Sequence, residues 1–173
     1  MQFNVATLLK EGVGASRRFT VDDTFESLEE TATNHARGSV CMTRTDVGIW
    51  VNAVLEATAW GKCSRCLCSL STCLSLSLDE EYMPTSDVDT GIITHTPEED
   101  TSAFTLDEHH ILDLTEAVRQ HAIINLPMKP LCRKECRGIC ATCGINLNGG
   151  QCQCTERDFD PRWSPLIHIL SAN

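Results

Sequence analysis

Apolar and polar residues alternate without a break through "VGIWVNAVLEATAW". Ile49, Val51, Ala53, Leu55 and Ala57 fall on one face and Trp50, Asn52, Val54, Glu56 and Thr58 on the other. A period of two predicts a β-strand that packs at least one face. Upstream, "SVCMTRTDVGIW" places Thr45, Asp46, Val47 and Gly48 as a hairpin turn between this strand and an antiparallel neighbour. Downstream, "TCLSLSLDEEY" alternates Leu74, Leu76 and Leu78 with Ser75, Ser77 and Asp79, predicting a strand with one side in the core and the other in water. The opening "FNVATLL" reads as a short strand carrying Phe3, Val5 and Leu8 or Leu9, and "DDTFESLEETATN" as a turn of helix opened by Asp22 or Asp23.

The period changes to about three and four in "ILDLTEAVRQHAIINLP", where Ile111, Leu112, Leu114, Ala117, Val118, Ile123 and Ile124 recur. That predicts a helix over about 113–124, ended before Pro127. A second helix is expected from Asp160 as N-cap and Pro161 at the first helical position, with Trp163, Leu166, Ile167 and Leu170 as its apolar face. The class is therefore α+β: an antiparallel sheet with one or two helices and a cysteine-rich, zinc-binding C-terminal module. Residues 1–126 form the sheet domain, with an acidic loop at about 79–108. Residues 127–173 form the zinc-knuckle module and the C-terminal helix.

The chain has 173 residues and eleven cysteines, six of them between Cys132 and Cys154. The N-terminal stretch lacks the apolar core of a signal peptide, and no apolar run approaches the roughly 18 residues of a membrane span. A soluble, cytoplasmic protein without a membrane partner is expected. In a reducing compartment dense cysteine patterns are metal sites more often than disulfides. Cys63 and Cys66 form C-x2-C, Cys132 and Cys136 C-x3-C, Cys140 and Cys143 C-x2-C, and Cys152 and Cys154 C-x-C. Eight thiols suffice for two tetrahedral Zn2+ sites, because a C-x2-C knuckle offers two sulfurs from one tight turn. Glycine after Cys143 suits the positive φ with which such a knuckle ends.

The short polar loop "GINLNGGQ" allows Cys140, Cys143, Cys152 and Cys154 to close a local site. Cys132 and Cys136 are left to meet Cys63 and Cys66 across about seventy residues. A rival arrangement draws a single site from the six C-terminal thiols and leaves Cys63 and Cys66 free or redox active. Cys41, Cys68 and Cys73 are expected to be small core residues. His109, His110, His121 and His168 are expected to be surface or packing residues. Cys136, Cys140 and Cys143 also spell the C-x3-C-x2-C of radical enzymes that use S-adenosylmethionine. Those enzymes resemble a large barrel with the motif early in the chain, and only thirty residues follow Cys143 here. A thioredoxin-like role for Cys63 and Cys66 lacks its βαβ context. No phosphate loop or catalytic triad stands in recognisable context. No catalytic residue is assigned, and the chain is expected not to be an enzyme; a metal-dependent redox or nuclease enzyme and a transcription-associated zinc ribbon are the alternatives.

The formal charge is −10. Asp79 to Glu116 holds twelve acids and no Lys or Arg, so the remainder carries +2. Within it, residues 84–104 are expected to be a solvated loop, with an arm for a basic partner as the alternative. Lys62, Arg65, Lys129, Arg133, Lys134, Arg137, Arg157 and Arg162 lie near the cysteines in sequence. They are candidates for contact with RNA phosphates or a partner, and equally for balancing anionic metal–thiolate sites. Trp50 and Trp60 share a strand face and are assigned to packing, with a stacking surface for unpaired bases as the alternative.

The succession of "CSRCL", "LPMKPLC", "CRGICATCGINLN", "CQC" and "DPRWSPLIHIL" resembles the YceD family, the large ribosomal RNA subunit accumulation proteins, over about residues 35–171. The resemblance implies a role in maintaining or maturing 23S ribosomal RNA. It also implies precursor 23S rRNA or a large-subunit protein such as bL32, a small basic protein whose gene is commonly adjacent, as partner. It does not imply a chemical activity. The acidic charge of this chain departs from what direct RNA binding would lead one to expect.

Overall fold

The computed structural model describes residues 1–26, 33–88, 90, 104–154 and 162. Its elements run β1 (Gln2–Asn4), α1 (Ala6–Leu9), β2 (Ser16–Glu26), β3 (Thr33–Arg44), β4 (Ile49–Lys62), β5 (Ser69–Pro84), β6 (Phe104–Leu106), β7 (Ile111–Asp113) and α2 (Thr115–Asn125). Strands β2 to β5 form an antiparallel meander, β6 adds to β5 in parallel, and β1 pairs with β7 in a two-stranded sheet. The expected mainly antiparallel sheet with helices is thus present.

The chain divides into two compact units. One comprises Met1–Lys62 and Ser69–Pro130, the other Cys63–Cys68 and Leu131–Asn173. Among the described residues, the first holds the sheets and both helices. Its core is the inner face of the meander, where Val40, Met42, Ile49, Leu55, Leu76 and Leu78 are buried. Ala117, Val118 and Ala122 of α2 and Leu8 and Leu9 of α1 join that core. Losing one such side chain, Leu76 to alanine for example, costs about 2–5 kcal/mol.

The β3–β4 turn falls at Thr45–Gly48 as expected. Thr45 donates its N–H to the Gly48 carbonyl at 3.0 Å, and Gly48 donates its N–H to Thr45 Oγ1 at 2.8 Å. Glycine is required at two close approaches: a Cβ on Gly38 would lie 2.2 Å from the Val54 carbonyl oxygen, and one on Gly48 2.3 Å from that of Tyr82.

Several expectations are corrected. The opening strand stops at Asn4, whose side-chain oxygen accepts the Ala6 N–H at 3.1 Å and starts a helical turn. Val5, Leu8 and Leu9 are therefore buried at helical spacing. Asp22 and Asp23 open no helix; they lie within β2, paired to Arg37 and Ala36 of β3. Trp50 and Trp60 leave the core: they remain 41% and 38% exposed, because the wholly apolar row from Ile49 to Ala59 takes the inner face. The same parity puts Cys41 opposite Asn52 and Cys73 opposite Thr58 on the outer face, so neither is a core residue. The helix expected at 113–124 spans Thr115–Asn125. The helix expected after Asp160, His168, and most of the acidic loop between 84 and 104 lie outside the described residues. Among the described residues no helix is long and apolar enough to cross a membrane.

Candidate metal centres

The second unit brings the eight thiols together as two quartets. The sulfurs of Cys63, Cys66, Cys132 and Cys136 lie within 4.8 Å of one another, and so do those of Cys140, Cys143, Cys152 and Cys154. Each quartet begins with a knuckle of the same hydrogen-bond pattern. In the first, Cys63 donates its N–H to the Cys68 carbonyl and Leu67 to the Cys63 carbonyl, both at 2.9 Å. In the second, Cys140 donates to Ile145 and Gly144 to Cys140, again both at 2.9 Å. The residue after the second cysteine has positive φ in each: Leu67 at 60° and Gly144 at 74°. The sequence motif C-x2-C thus folds twice into one local structure, although only the second copy carries the glycine the turn favours.

These turns aim backbone N–H groups at sulfur, which stabilises the thiolate. The Cys63 thiol is drawn down to about 5 by the Cys66 and Cys132 amides, against the effect of burial. The Cys132 N–H reaches Cys63 Sγ at 3.4 Å. Cys140 is drawn down to about 6 by the amides of Cys143 and Thr142. Others move the opposite way: Cys132, exposed as a residue, is pushed up, chiefly by desolvation of its sulfur among the other thiols, and Cys154 is pushed up to about 12, chiefly by hydrogen bonding to Cys143. Four thiolates so close repel by about 4 kcal/mol per pair at 4 Å in an effective dielectric near 20. A cation is what permits all four to ionise. In the first quartet the Cys63–Cys136 and Cys66–Cys132 sulfurs are 3.8 and 3.6 Å apart, so the four donors fit around one ion. Both quartets can hold a metal ion, and a four-sulfur shell leaves no coordination position open for a substrate.

The division into quartets separates Cys136 from Cys140 and Cys143, against a three-cysteine cluster on C-x3-C-x2-C. Cys68, expected in a core, is half-buried with its sulfur 3.2 Å from that of Cys66.

Arg65 and Arg133, candidates for contact with RNA phosphates or a partner or for balancing the thiolates, donate hydrogen bonds within the unit. Arg65 donates to the Cys136 carbonyl at 3.0 Å, and Arg133 donates to Asn148 Oδ1 at 2.7 Å. Lys134 and Arg137 are exposed in the same unit, as is Arg162, while Arg157 lies outside the described residues. Lys62 and Lys129 are exposed in the sheet unit.

Two contributors escaped sequence reasoning. Asn148 accepts the Arg137 N–H at 2.9 Å and donates Nδ2 to Cys136 Sγ at 3.3 Å, so the loop closing the second quartet also supports a ligand of the first. Gly138, at φ 75°, lets the chain pass where a Cβ would sit 3.1 Å from the Arg65 carbonyl oxygen. The positive charge before it and the run "NLNGG" offered only the signal of a polar loop.

The family model for YceD, described as large ribosomal RNA subunit accumulation protein, matches residues 51–170, a stretch that includes all eight clustered thiols. The chain belongs to the YceD family. Uncharacterised proteins of Mycobacterium tuberculosis strain H37Rv and Mycobacterium bovis are each 32% identical over 124 residues, 71% of this chain and 56% of theirs. A protein of Arabidopsis thaliana named as a chloroplastic YCED homolog for large ribosomal RNA subunit accumulation is 29% identical over 58 residues, 34% of this chain and 18% of its own. The chain thus spans little more than half the length of the mycobacterial relatives it matches. No solved structure matches it.

Proposed function

We propose that this YceD protein is a non-enzymatic factor for 23S rRNA accumulation and processing and for large-subunit assembly, a zinc-stabilised binding module for a basic large-subunit protein such as bL32. Family membership supports the ribosomal role. Zinc is supported by geometry: a tetrahedron with zinc–sulfur bonds of about 2.3 Å has edges of about 3.8 Å, and sulfur separations of 3.6 and 3.8 Å are found. Closed shells of this kind stabilise folds and leave chemistry to others.

The observation that carries the choice of partner is charge. The sheet unit, residues 1–62 and 69–130, has eight Lys and Arg against twenty Asp and Glu, a net −12. The metal unit has six against four, a net +2. Two Zn(Cys)4 centres at −2 each would turn that to −2, so its cations balance its own metal sites. An acidic body with no net cationic unit favours a basic protein over a phosphate backbone. Direct contact with precursor rRNA is the second reading, supported by the exposed Lys134 and Arg137 and by the outward turn of Trp50 and Trp60.

A pull-down of the tagged chain at low and high salt tests both, with metal, protein and RNA read from one eluate. Two zinc ions per chain and large-subunit proteins that survive nuclease treatment are expected. RNA retained after those proteins are stripped supports the second reading. Recovery of no ribosomal component, or of an iron–sulfur chromophore, overturns the proposal in favour of a redox enzyme.

A further inference from the structure

The meander has two edges of opposite character. Strand β2 closes one of them, and its "SRRFTVDDTFE" is rich in charge: Arg17, Arg18, Asp22 and Asp23 guard it, as natural edge strands are guarded against adventitious pairing. Strand β5 lies towards the other. It pairs with β4 from Ser69 to Tyr82, whereas β6 covers only Tyr82 to Pro84. Among the described residues the thirteen from Ser69 to Glu81 have no strand on that side. Every second residue of a strand turns its N–H and C=O to the same side, so this is a row of backbone donors and acceptors. The stretch "SLSTCLSLSL" contains no charge, proline or glycine. Its alternation is regular, with Leu74, Leu76 and Leu78 buried and Ser69, Ser71, Ser75 and Ser77 exposed. Nothing in its sequence blocks pairing, and Asp79, Glu80 and Glu81 follow at once: Asp79 and Glu81 lie on the outer face, opposite Asn52 and Trp50, while Glu80 turns inward to His121 of α2 at 2.9 Å.

We propose that the β5 edge is a strand-addition site that receives an extended, basic segment of another protein. This rests on the reading above that the partner is basic, and says where and how it is held. Backbone pairing supplies affinity, alternate side chains of the guest follow the sheet faces, and Asp79 and Glu81 on the outer face, within a sheet unit of −12, select positive charge. Charge also decides against a second copy of the chain: edge-to-edge pairing would bring together two sheet units of −12 each.

The test uses the full chain with zinc and a ten-residue peptide alternating valine and lysine. Two control peptides accompany it, one with glutamate for lysine and one N-methylated at every amide. Hydrogen exchange should show alternate amides between Ser69 and Glu81 open in the free chain and slowed by the lysine peptide. N-methylation should weaken binding by about tenfold or more, since several backbone hydrogen bonds are lost while charge is kept. Ser75→Lys on β5 should weaken it several-fold. Ser39→Lys, the same charge on the same face but on β3, lies three strand spacings from the guest, roughly 14 Å and beyond the Debye length of about 8 Å at physiological salt, and should change it little. Equal binding of the methylated peptide, or no binding at all, overturns the proposal. So does protection of all these amides in the free chain, which would mean that its own residues cover the edge, or a dimer that Ser75→Lys disperses. Strand addition by the peptide alongside a pull-down empty of ribosomal components would leave this site standing and remove the functional reading instead. Ribosomal proteins recovered equally well by Ser75→Lys would do the reverse.

Discussion

Removing Cys132 and removing Cys143 should have unequal consequences, although each deletes one ligand from one quartet. Both residues are exposed, so substitution by alanine leaves little cavity and the comparison reports on the metal bridge. The first quartet joins Cys66 to Cys132, sixty-six positions apart, and ties the β4–β5 turn to the segment beyond α2. The second joins Cys143 to Cys152 within one loop. A metal bridge restrains the unfolded chain as any cross-link does. The loop-closure relation gives about 4.4 kcal/mol for the long loop and about 2.6 kcal/mol for the short one. The difference of about 1.8 kcal/mol corresponds to about 4–7 °C in a chain of this size. Metal should be counted by native mass spectrometry in the same samples whose sheet signal is melted. One ion should be lost from each variant, with Cys132→Ala melting lower by that margin. Equal melting temperatures, or two ions retained by Cys132→Ala, would refute the reasoning.

Leu67→Gly should stabilise the metal unit by about 1 kcal/mol, read as a higher chelator concentration for release of the first ion, because leucine is held at a φ of 60° that glycine adopts freely. Gly38→Ala should cost about 3 kcal/mol in denaturant unfolding, since its Cβ would meet the backbone of β4 and no rotamer relieves that. Asp113 is held down to about 2: burial opposes this but is outweighed by hydrogen bonds from Thr115 and Gln2 and by the terminal ammonium. A carboxylate depressed on folding stabilises above its unfolded value of 3.8 and loses that contribution as pH falls through the folded one. Asp113→Asn should therefore cost about 1 kcal/mol at neutral pH, after screening of a side chain 45% exposed, and should lessen the fall in stability between pH 4 and 2.

Strand β4 and its turn were legible because a strand buried on one face must alternate, and Ile49 to Ala59 does so without exception. The face that enters the core was equally legible: only one side is free of Asn52, Glu56 and Thr58, and the size of Trp50 and Trp60 misdirects. Strand β2 was not, because an edge strand needs few apolar residues and Phe19, Val21 and Phe25 are diluted by charge. Helix α1 escaped because one side-chain oxygen, that of Asn4, turns an extended start into a helical one. The quartets were legible from loop length, since eight residues can close over themselves and leave Cys132 and Cys136 to Cys63 and Cys66, although the spacing also allowed a single site among the six C-terminal thiols. What Asn148 and Arg65 do was hidden, because a hydrogen bond to a distant sulfur or carbonyl leaves no local pattern.

The long loop between the halves of the first quartet also sets an order in time. A chain made from its N-terminus presents the Cys63–Cys66 knuckle well before Cys132 and Cys136 exist. At synthesis rates of ~5–20 residues per second, that interval is roughly 3–13 s. Throughout it the two thiols form half a site, which a metal can occupy only loosely and an oxidant can reach. The second quartet suffers far less delay, because its four ligands arrive within roughly 1–3 s of one another at the same rates. An oxidant pulsed during synthesis with zinc present should therefore mark newly made chains at Cys63 and Cys66 more than at Cys140 and Cys143.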